Sequence, residues 1–390
     1  MSTHRIVVLG AGYTGMLATA RLAHRTRRMD VQITLVNPSP RFTERLRMHQ
    51  IASGQELADH QITDLLAGTG VTFLQGAASA IDPENREVTV GARVLGYDTL
   101  VYALGSATDA GKVPGAADHA FTLNGMGNAG RFAARLAEVA ATGGTVTVSG
   151  GGLTGIEAAA EIAESHPGLN VTLISLTEPA AMMGPKARAH LFRSLDRLGV
   201  TLKTGARITK VLPDAIELEG GEIVPSDASL WTTGVKVSPL AADAGLAVDD
   251  RGLVVVDATL RSVSHPDVFA IGDAAAVRLG WGEVHGTCQS GMPTAAHVAD
   301  AITRRLRGRK DKPFRFGYFH QPVSLGRKDA VIQFTHADDT AGRWYITGRW
   351  AVMYKEMVSG SPVKMFRLSR WMNVTVTITK GGRATRQPVM

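Results

Sequence analysis

The sequence predicts an α/β protein with two domains built on parallel sheets and a small α+β region at its C-terminal end. Two glycine-rich loops support this prediction, because each follows a β-branched strand and opens a helix, at residues 10–15 and 150–155. A strand, a short loop and a helix in this order begin a βαβ unit, which implies a parallel sheet covered by helices. Beyond Pro313 aromatic, methionine and basic residues become frequent, which indicates a separate C-terminal region.

The bulk composition is that of a folded protein, since 44% of the 390 residues are hydrophobic and 20% are charged. The formal net charge is +7. The basic runs could face solvent or anionic lipid, but no nucleic-acid-binding module accompanies them, and we expect no nucleic-acid partner. No apolar run approaches the ~18 residues that span a bilayer, and the chain enters a strand within its first residues. We therefore expect a cytoplasmic protein, with peripheral binding to the inner face of the membrane left open.

The first unit is predicted to contain a strand at Ile6–Leu9, a helix at Met16–His24 and a strand at Val31–Val36. Between residues 71 and 101 the segments VTFLQGA, REVTV and TLVYALG alternate with turn signals, and we predict antiparallel strands there. The glycine- and alanine-rich segment 105–128 has the composition of a connection.

The second unit is predicted to start with a strand at Thr145–Ser149, a helix from Leu153 and a strand at Asn170–Ser175. The later predicted elements are a helix at Ala187–Leu198, strands near 201–204 and 217–224, two strand-like runs within 253–276, and a helix at Pro293–Arg307. Pro293 is expected in the first turn of that helix, where its missing N–H costs nothing. The segments DAVIQF and RWYITG predict strands in the C-terminal region.

Each glycine loop has the spacing Gly-x-Gly-x-x-Gly of a dinucleotide-binding site. Gly10 permits a tight turn, Gly12 lets a pyrophosphate approach the backbone, and Gly15 lets the helix pack closely on the strand. The helix N-terminus then offers free N–H groups and a partial positive charge to the phosphates. The second loop repeats this arrangement with Gly150, Gly152 and Gly155. Three other loop residues are predicted to contact the cofactors: Tyr13, Thr14 and Thr154.

The residue about 20 positions past each loop usually binds the adenosine ribose. Asn37 and Ser175 occupy these positions, and neither is acidic. Glu178 follows shortly after Ser175 and could serve NADH, whereas the bases Lys186 and Arg188 leave NADPH open. Two loops imply two dinucleotides, and the economical pairing is a retained FAD with an exchanged NADH or NADPH.

Cys288 is the one cysteine of the sequence. An intrachain disulfide, a CxxC pair and a cysteine-based zinc cluster are therefore excluded, and we predict no metal site. We interpret Cys288 as a small residue packed near the cofactor rather than as a redox group.

The segments LVYALGS, LWTTGVKVSPL and DVFAIGDAAA surround the second loop and resemble flavoprotein reductases with two dinucleotide-binding domains. The resemblance is to the pyridine nucleotide-disulfide oxidoreductase superfamily, without its redox disulfide. It implies two Rossmann-like domains arranged as in glutathione reductase, with three layers each. The implied division is an FAD domain at 1–115 and 253–312, an NAD(P)H domain at 116–252 and a C-terminal interface or membrane-surface region at 313–390. The same motifs imply cofactor contacts at Gly105, Gly234 and Asp273, with Asp273 on the ribityl and pyrophosphate portion of FAD. Ala295, in the segment MPTAAHVAD, is a further predicted cofactor contact.

The segment RFTERLRMHQIASG resembles the region after the second strand in type II NADH:quinone oxidoreductases. This resemblance places Thr43 and Arg45 at the flavin, and GLTGIEAAAE places Glu157 beside the nicotinamide. MPTAAHVAD is similar to the quinone-site helix of that family, with His297 in place of the usual glutamine. The residues implied in catalysis are Thr43, Glu157 and His297, and His49 and Gln50 are further candidates on the acceptor side.

The leading hypothesis is an FAD-dependent enzyme that takes hydride from NAD(P)H and passes electrons to a quinone or a similar acceptor. A soluble reductase for a small metabolite or a ferredoxin-like partner is one alternative, and a flavoprotein redox switch is another. The C-terminal region could cover the flavin, rest on an anionic membrane surface, or do both. The sequence leaves open whether the protein forms a homodimer.

Overall fold

The computed structural model describes residues 3–382. The first glycine loop follows the central strand of a five-stranded sheet, and each pair of neighbouring strands in this sheet is parallel. Its strands in spatial order are Val268–Ala270, Thr99–Tyr102, His4–Leu9, Val31–Asn37 and Thr72–Gln75. The chain therefore leaves this sheet and returns to it after the second glycine loop. Helices Tyr13–Thr26 and Cys288–Leu306 pack against each other beside it.

The second glycine loop follows the central strand of a second five-stranded parallel sheet. Its strands in spatial order are Thr201–Thr204, Asn170–Ser175, Thr145–Ser149, Ala228–Trp231 and Ala120–Thr122. The helices of this part of the chain are Met126–Ala140, Leu153–Ser165 and Pro185–Arg197. The predicted α/β class with two parallel-sheet domains is confirmed.

Smaller elements connect and cover the two sheets. Strands Ser106–Thr108 and Val235–Val237 pair antiparallel where the chain passes between them. Two three-stranded antiparallel sheets comprise Ala78–Asp82, Glu87–Val90 and Arg93–Gly96, and Ile208–Val211, Ala215–Leu218 and Ile223–Pro225. The remaining short strands are Val254–Val255, Ala275–Ala276, Arg278–Leu279 and Gly282–Glu283. The short helices are Met48–Ala52, Ile62–Leu65, Ala116–His119 and Leu240–Asp243, with 3₁₀ turns at Arg45–Arg47 and Gly272–Ala274.

The C-terminal region is a small α+β unit, as predicted. An antiparallel sheet of His320–Ser324, Ala330–Thr335 and Ala341–Thr347 is followed by the long helix Gly348–Ser369. Residues 383–390 of the predicted region lie outside the described part of the chain. The helix is fixed to the first domain by Phe366, whose ring meets that of Phe42 edge-on at 5.1 Å between centroids. Phe42 in turn meets Tyr13, the first residue of the first loop helix, at 5.2 Å.

The prediction of three antiparallel strands between residues 71 and 101 was wrong for two of them. Thr72–Gln75 and Thr99–Tyr102 are parallel members of the first sheet, and the REVTV segment alone forms an antiparallel strand. All four residues of Thr99–Tyr102 are buried. A continuous apolar run of this kind is typical of a parallel strand that is covered on both faces.

The predicted start of the helix at Pro293 was also wrong, because the helix begins at Cys288. Thr287 and Ser290 form a capping box: the Thr287 hydroxyl accepts from the Ser290 N–H at 3.1 Å, and the Ser290 hydroxyl accepts from the Thr287 N–H at 3.0 Å. These two bonds satisfy donors that a helix start otherwise leaves unpaired. Pro293 lies inside the helix and costs it one backbone hydrogen bond.

Two further segments have more structure than the sequence predicted. Segment 105–128 contains two strands, a short helix and the start of helix Met126–Ala140, which we did not predict. The buried residues of that helix are Ala129, Phe132, Leu136 and Val139, a helical spacing that was visible in the sequence. The strand predicted at 217–224 is a hairpin, because Gly220 and Gly221 both have positive φ, at 92° and 85°.

Asp329 ties the C-terminal unit to the second domain. Its carboxylate accepts hydrogen bonds from His190 at 3.0 Å, from Ser194 at 2.6 Å and from Arg197 at 3.1 Å, all on helix Pro185–Arg197. It also accepts from the N–H of Gly348, the first residue of the C-terminal helix, at 3.2 Å. Asp329 is 4% exposed. Burial alone would raise its pKa, but the bonds from Ser194 and His190 bring the pKa below the ordinary value.

We predict that Asp329→Ala lowers the free energy of unfolding by about 2–3 kcal/mol at neutral pH, because buried donors lose a charged acceptor. Since the folded pKa is below the unfolded one, this stabilisation is complete above a pH of about 5 and is lost as the pH falls through about 4 to the folded pKa. Urea unfolding of wild type and variant at neutral and acidic pH measures the difference. Asp196→Ala, at an exposed carboxylate of the same helix, is the control. A difference that does not shrink in acid would contradict the prediction.

Candidate functional site

The first glycine loop has the shape that a bound phosphate requires. Gly10 has a φ of +96°, and a Cβ on it would lie 2.5 Å from the carbonyl oxygen of Ala103. A Cβ on Gly15 would overlap the carbonyl oxygen of Gly10, so the helix packs closely on the strand. A Cβ on Gly12, in contrast, would meet no atom within 4 Å. Two of the glycines therefore leave no room for a side chain, whereas the third faces open space.

Asn37 holds this loop from the end of the neighbouring strand. Its side-chain oxygen accepts from the N–H of Ala11 at 2.9 Å, and its amide group donates to the carbonyl of Ser39 at 2.9 Å. The side chain therefore orders the loop backbone directly. Its contact with a ribose stays a prediction.

Asp273 lies at the mouth of the first loop. It accepts from the hydroxyl of Ser106 at 2.7 Å, and Arg45 donates to the carbonyl of Ser106 at 2.6 Å. The preceding Gly272 lies against Thr14, because a Cβ on Gly272 would be 2.7 Å from a Thr14 methyl. Gly105 has a φ of +66° and faces open space. The structure thus brings together four predicted residues around an open cradle, and this cradle fits the phosphate and ribityl portion of FAD.

The second glycine loop repeats the geometry of the first. Gly150 has a φ of +123°, and its added Cβ would lie 2.8 Å from the Thr232 hydroxyl. A Cβ on Gly155 would overlap the carbonyl oxygen of Gly150, whereas Gly152 faces open space. Thr154, in the first turn of the following helix, is exposed. A second dinucleotide therefore has the same open access to backbone N–H groups as the first.

The strand-end residues of the second domain are arranged differently from those of the first. Ser175 is 5% exposed and lies directly against Gly151 of the loop. Glu178 is half-exposed and pairs with Arg188 at 3.3 Å. Gly234 has a φ of +77° and approaches the carbonyl of Asp109. An acid and a base therefore stand together on the ribose side, and the structure leaves the choice between NADH and NADPH open.

Glu157 is the centre of a buried ionic cluster. It lies in the helix that follows the second loop and is 7% exposed. Its Oε1 atom accepts from Lys355 Nζ at 2.7 Å and from the N–H of Ser324 at 3.0 Å. Its Oε2 atom lies 3.9 Å from Nδ1 of His49. Three distant parts of the chain, at 49, 157 and 324–355, thus meet at one carboxylate.

The environment sets the charges of this cluster. Burial lowers the pKa of His49 to about 4, so its imidazole is neutral at neutral pH. Burial alone would raise the pKa of Glu157, but the ammonium of Lys355 and the hydrogen bonds to Glu157 hold this pKa below its ordinary value. A carboxylate and an ammonium therefore face each other beside a neutral imidazole.

Cys288 lies within electrostatic range of both parts of the site. It is the first residue of its helix, and its pKa responds to the charges of both Asp273 and Lys355. Burial raises the pKa of the Cys288 thiol to about 12. The thiol is therefore protonated at neutral pH, which favours the packing role over a reactive thiolate.

Tyr13 and Thr43 lie beside Phe42, where the C-terminal helix packs on the first domain. The Tyr13 hydroxyl accepts from the N–H of Leu46 at 3.3 Å, and its ring packs on Phe42. Thr43 is half-buried next to Phe42, and its carbonyl accepts from the N–H of Arg45 at 2.9 Å. The contact of Thr43 with the flavin stays a prediction.

His297 is not brought to this cluster. It packs edge-on against Phe314 at 5.3 Å, and the charges that act on it are those of Asp300, Asp311 and Asp257. Burial lowers the pKa of His297 to about 4. Ala295, on the same helix, is fully buried in the core of the first domain. The roles of both residues stay predictions that the observed contacts do not support.

Sequence reasoning missed Lys355 and Ser324. A signal for Lys355 was present, because it stands on the otherwise small and apolar buried face of its helix, with Ala351, Ser359, Val363 and Phe366. A lysine in the middle of such a face needs a buried partner. Ser324 donates to Glu157 from its backbone N–H at 3.0 Å and from its hydroxyl at 3.3 Å, and its sequence context gives no signal for either bond.

Comparison with known proteins identifies the family of the chain. The pyridine nucleotide-disulphide oxidoreductase family matches residues 4–301. A demethylphylloquinone reductase of Synechocystis is 27% identical over 349 residues, covering 84% of this chain and 86% of the relative. A type II NADH:quinone oxidoreductase of Staphylococcus haemolyticus is 26% identical and covers 91% of this chain and 94% of the relative. The sulfide:quinone oxidoreductase of Aquifex aeolicus shares the fold, with a TM-score of 0.81 at 20% identity over 94% of this chain and 92% of that chain.

The family match covers both glycine loops and Asp273, the residues that form the two open dinucleotide cradles. The chain therefore belongs to the pyridine nucleotide-disulphide oxidoreductase family and is an oxidoreductase that uses FAD together with NADH or NADPH.

Proposed function

We propose that this protein passes the electrons of NAD(P)H to a quinone. The observation that carries the proposal is the buried cluster of Glu157, Lys355 and His49, which lies between the second glycine loop and the C-terminal helix. Relatives whose names specify demethylphylloquinone or quinone as substrate support the same acceptor class. FAD, when bound at the first loop, supplies the redox chemistry that links the two substrates.

The cluster has the groups that a quinone needs. Lys355 carries a positive charge that can stabilise negative charge on a quinone oxygen. The hydrogen bonds of Glu157 are concentrated on Oε1, so Oε2 is the atom that can take up and release a proton. Because the pKa of Glu157 lies below its ordinary value, this proton is held only transiently. The residues of the loops contribute binding and orientation, and Glu157 contributes proton transfer.

The function is tested by anaerobic mixing of purified yellow protein with NADH or NADPH, followed by a quinone, a small metabolite or a ferredoxin in separate reactions. We expect bleaching of the flavin band by the nicotinamide and rapid recovery with the quinone. Recovery with ferredoxin or a metabolite but not with quinone would replace the proposal by the soluble-reductase alternative. Bleaching without recovery by any acceptor would favour a redox switch.

We predict that Glu157→Gln slows quinone reduction by about 10²–10³-fold, because the amide cannot hold the proton and leaves Lys355 without its counter-ion. Steady-state quinone kinetics measure the effect as a fall in kcat. Glu138→Gln, which removes an exposed ion-paired carboxylate of the same domain, is the control. An unchanged kcat for Glu157→Gln would contradict the role of this residue.

The two glycine loops allow a matched pair of substitutions. Because added side chains at Gly12 and Gly152 meet open space and both glycines have a φ of −72°, Gly12→Val and Gly152→Val should fold. We predict that Gly12→Val loses bound flavin, whereas Gly152→Val keeps it but is bleached by NAD(P)H at least about tenfold more slowly, since the valine blocks the approach of the pyrophosphate. Flavin content and stopped-flow bleaching measure both effects. The opposite pattern would show that the two loops are assigned the wrong way round.

The C-terminal helix presents an apolar stripe to solvent. Trp350 is 74% exposed, Met357 is 63% exposed and Trp371, just beyond the helix, is 68% exposed. Between residues 341 and 382 there is one acidic residue, Glu356, and its carboxylate is paired with Arg47 and Arg327. The basic residues of this stretch are Arg343, Arg349, Lys355, Lys364, Arg367, Arg370 and Lys380. Aromatic and methionine side chains flanked by bases match an anionic bilayer surface.

We therefore propose that this stripe docks on an anionic membrane, where a quinone dissolved in lipid would reach the cluster. Among residues 3–382 no helix is long and apolar enough to cross a bilayer. Each basic residue near the membrane surface contributes about 1 kcal/mol to the free energy of membrane binding, so this binding should be weak and sensitive to salt.

We predict that the protein sediments with anionic vesicles at low ionic strength and is released by added salt, because its attachment is largely electrostatic. The double substitution Trp350→Ser and Trp371→Ser should weaken sedimentation. Val263→Ser, at an apolar residue that is 58% exposed outside the stripe, is the control. Protein that stays in the supernatant with anionic and neutral vesicles alike would remove the membrane from the proposal.

A further inference from the structure

The proposed reaction consumes a proton, and the buried cluster has little direct contact with water. Reduction of a quinone by NAD(P)H follows NAD(P)H + H⁺ + quinone → NAD(P)⁺ + quinol, so one proton enters from solvent in each turnover. His49 is 3% exposed, and Glu157 and Lys355 are each 7% exposed. Proton delivery to Glu157 therefore needs a group that connects it to the surface.

Glu161 stands one helical turn beyond Glu157 and is fully buried. Its carboxylate pairs with Arg327 at 3.0 Å and accepts a hydrogen bond from the side-chain amide of Gln55. Glu164, nearly one turn further along the same helix, is half-buried and accepts from the backbone N–H of Arg327. Residues three and four apart on a helix have Cβ atoms about 5–6 Å apart. The three carboxylates therefore form a row from the cluster towards the surface.

The surroundings of Glu161 suit proton exchange. A carboxylate in the interior is costly unless it is paired, and Arg327 supplies the pairing. Burial raises the pKa of Glu161 above its ordinary value even though Arg327 opposes the shift. Arg327 and Glu164 are the charged groups that face it, and Gln55 is its neutral partner. The same arginine also pairs with Glu356 of the C-terminal helix at 2.8 Å, which fixes the row against that helix.

We propose that Glu161 passes protons from Glu164 to Glu157 during quinone reduction. The inference rests on the proposed quinone acceptor and adds the route by which its proton arrives. Glu161 is thus a positioning residue that acts through Glu157. A static ion pair with Arg327 is the alternative, and it predicts a loss of stability without an effect on proton transfer.

The test is Glu161→Gln, which keeps the size of the side chain and much of its hydrogen bonding but cannot exchange a proton. Flavin bleaching by NADH and steady-state quinone reduction are each measured in H₂O and in D₂O, and circular dichroism checks the fold. We expect bleaching at the wild-type rate, quinone reduction slower by at least about tenfold and a larger slowing in D₂O than the wild type shows. The control is Glu138→Gln, for which all three values should equal those of the wild type.

Two further variants separate proton transfer from structure. Glu161→Ala leaves room for a small acid, and formate should restore part of its quinone reduction. Arg327→Lys alters the ion pair but keeps a cation beside the Glu161 carboxylate, and it should retain most quinone turnover. An unchanged solvent isotope effect in Glu161→Gln, no rescue by formate, or an equal loss in Arg327→Lys would each overturn the relay. Wild-type protein that reduces no quinone would instead overturn the proposed function on which the relay rests.

Discussion

The buried ion pair between Glu157 and Lys355 is the interaction on which the arrangement of this protein depends. Glu157 belongs to the helix of the second glycine loop, and Lys355 belongs to the C-terminal helix. Neither charge is stable in the interior by itself, and removing one partner of such a pair costs about 3–5 kcal/mol. The two helices are therefore held in one relative position, and that position determines what lies between them.

Several weaker contacts maintain the same arrangement. Asp329 joins the second domain to the start of the C-terminal helix, and Phe366 near its end packs on the first domain through Phe42. Gln289, at the N-terminus of the helix that starts with Cys288, bonds the backbone at Phe319 and His320 through its side chain. The C-terminal unit is thus attached to both dinucleotide-binding domains, which explains why its inner helix face is buried while its outer face remains exposed.

The C-terminal helix has two different faces, one for each of the roles that its sequence left open. Its apolar residues divide into an inner set that packs on the domains and an outer set, including Trp350 and Met357, that faces solvent. The inner set accounts for a cover over the site, and the outer set with its bases accounts for the proposed membrane contact. A quinone that enters from lipid would then meet Lys355 on the inner side of the same helix. One element would thus provide both the docking surface and a charge of the acceptor site.

Much of the fold could be predicted from the sequence because its strongest signals are local. The strands Thr145–Ser149 and Asn170–Ser175 were predicted with their observed bounds, since β-branched runs and adjacent turns specify them. The strand at 99–102 was assigned the wrong orientation, because its neighbours at 4–9 and 268–270 are distant in the chain. The predicted start at Pro293 was too late, because the helix begins at the capping box of Thr287 and Ser290, which the prediction did not include.

The sequence by itself determined the two glycine loops, and with them the use of two dinucleotides. Their conformation depends on positive φ at Gly10 and Gly150 and on missing side chains at Gly15 and Gly155, which are properties of single residues. Only the tertiary structure decided that Glu157 meets Lys355 and His49, and that His297 lies elsewhere. Whether a buried carboxylate is charged depends on the groups that surround it in space, and those groups come from segments whose separation in the chain hides their contact.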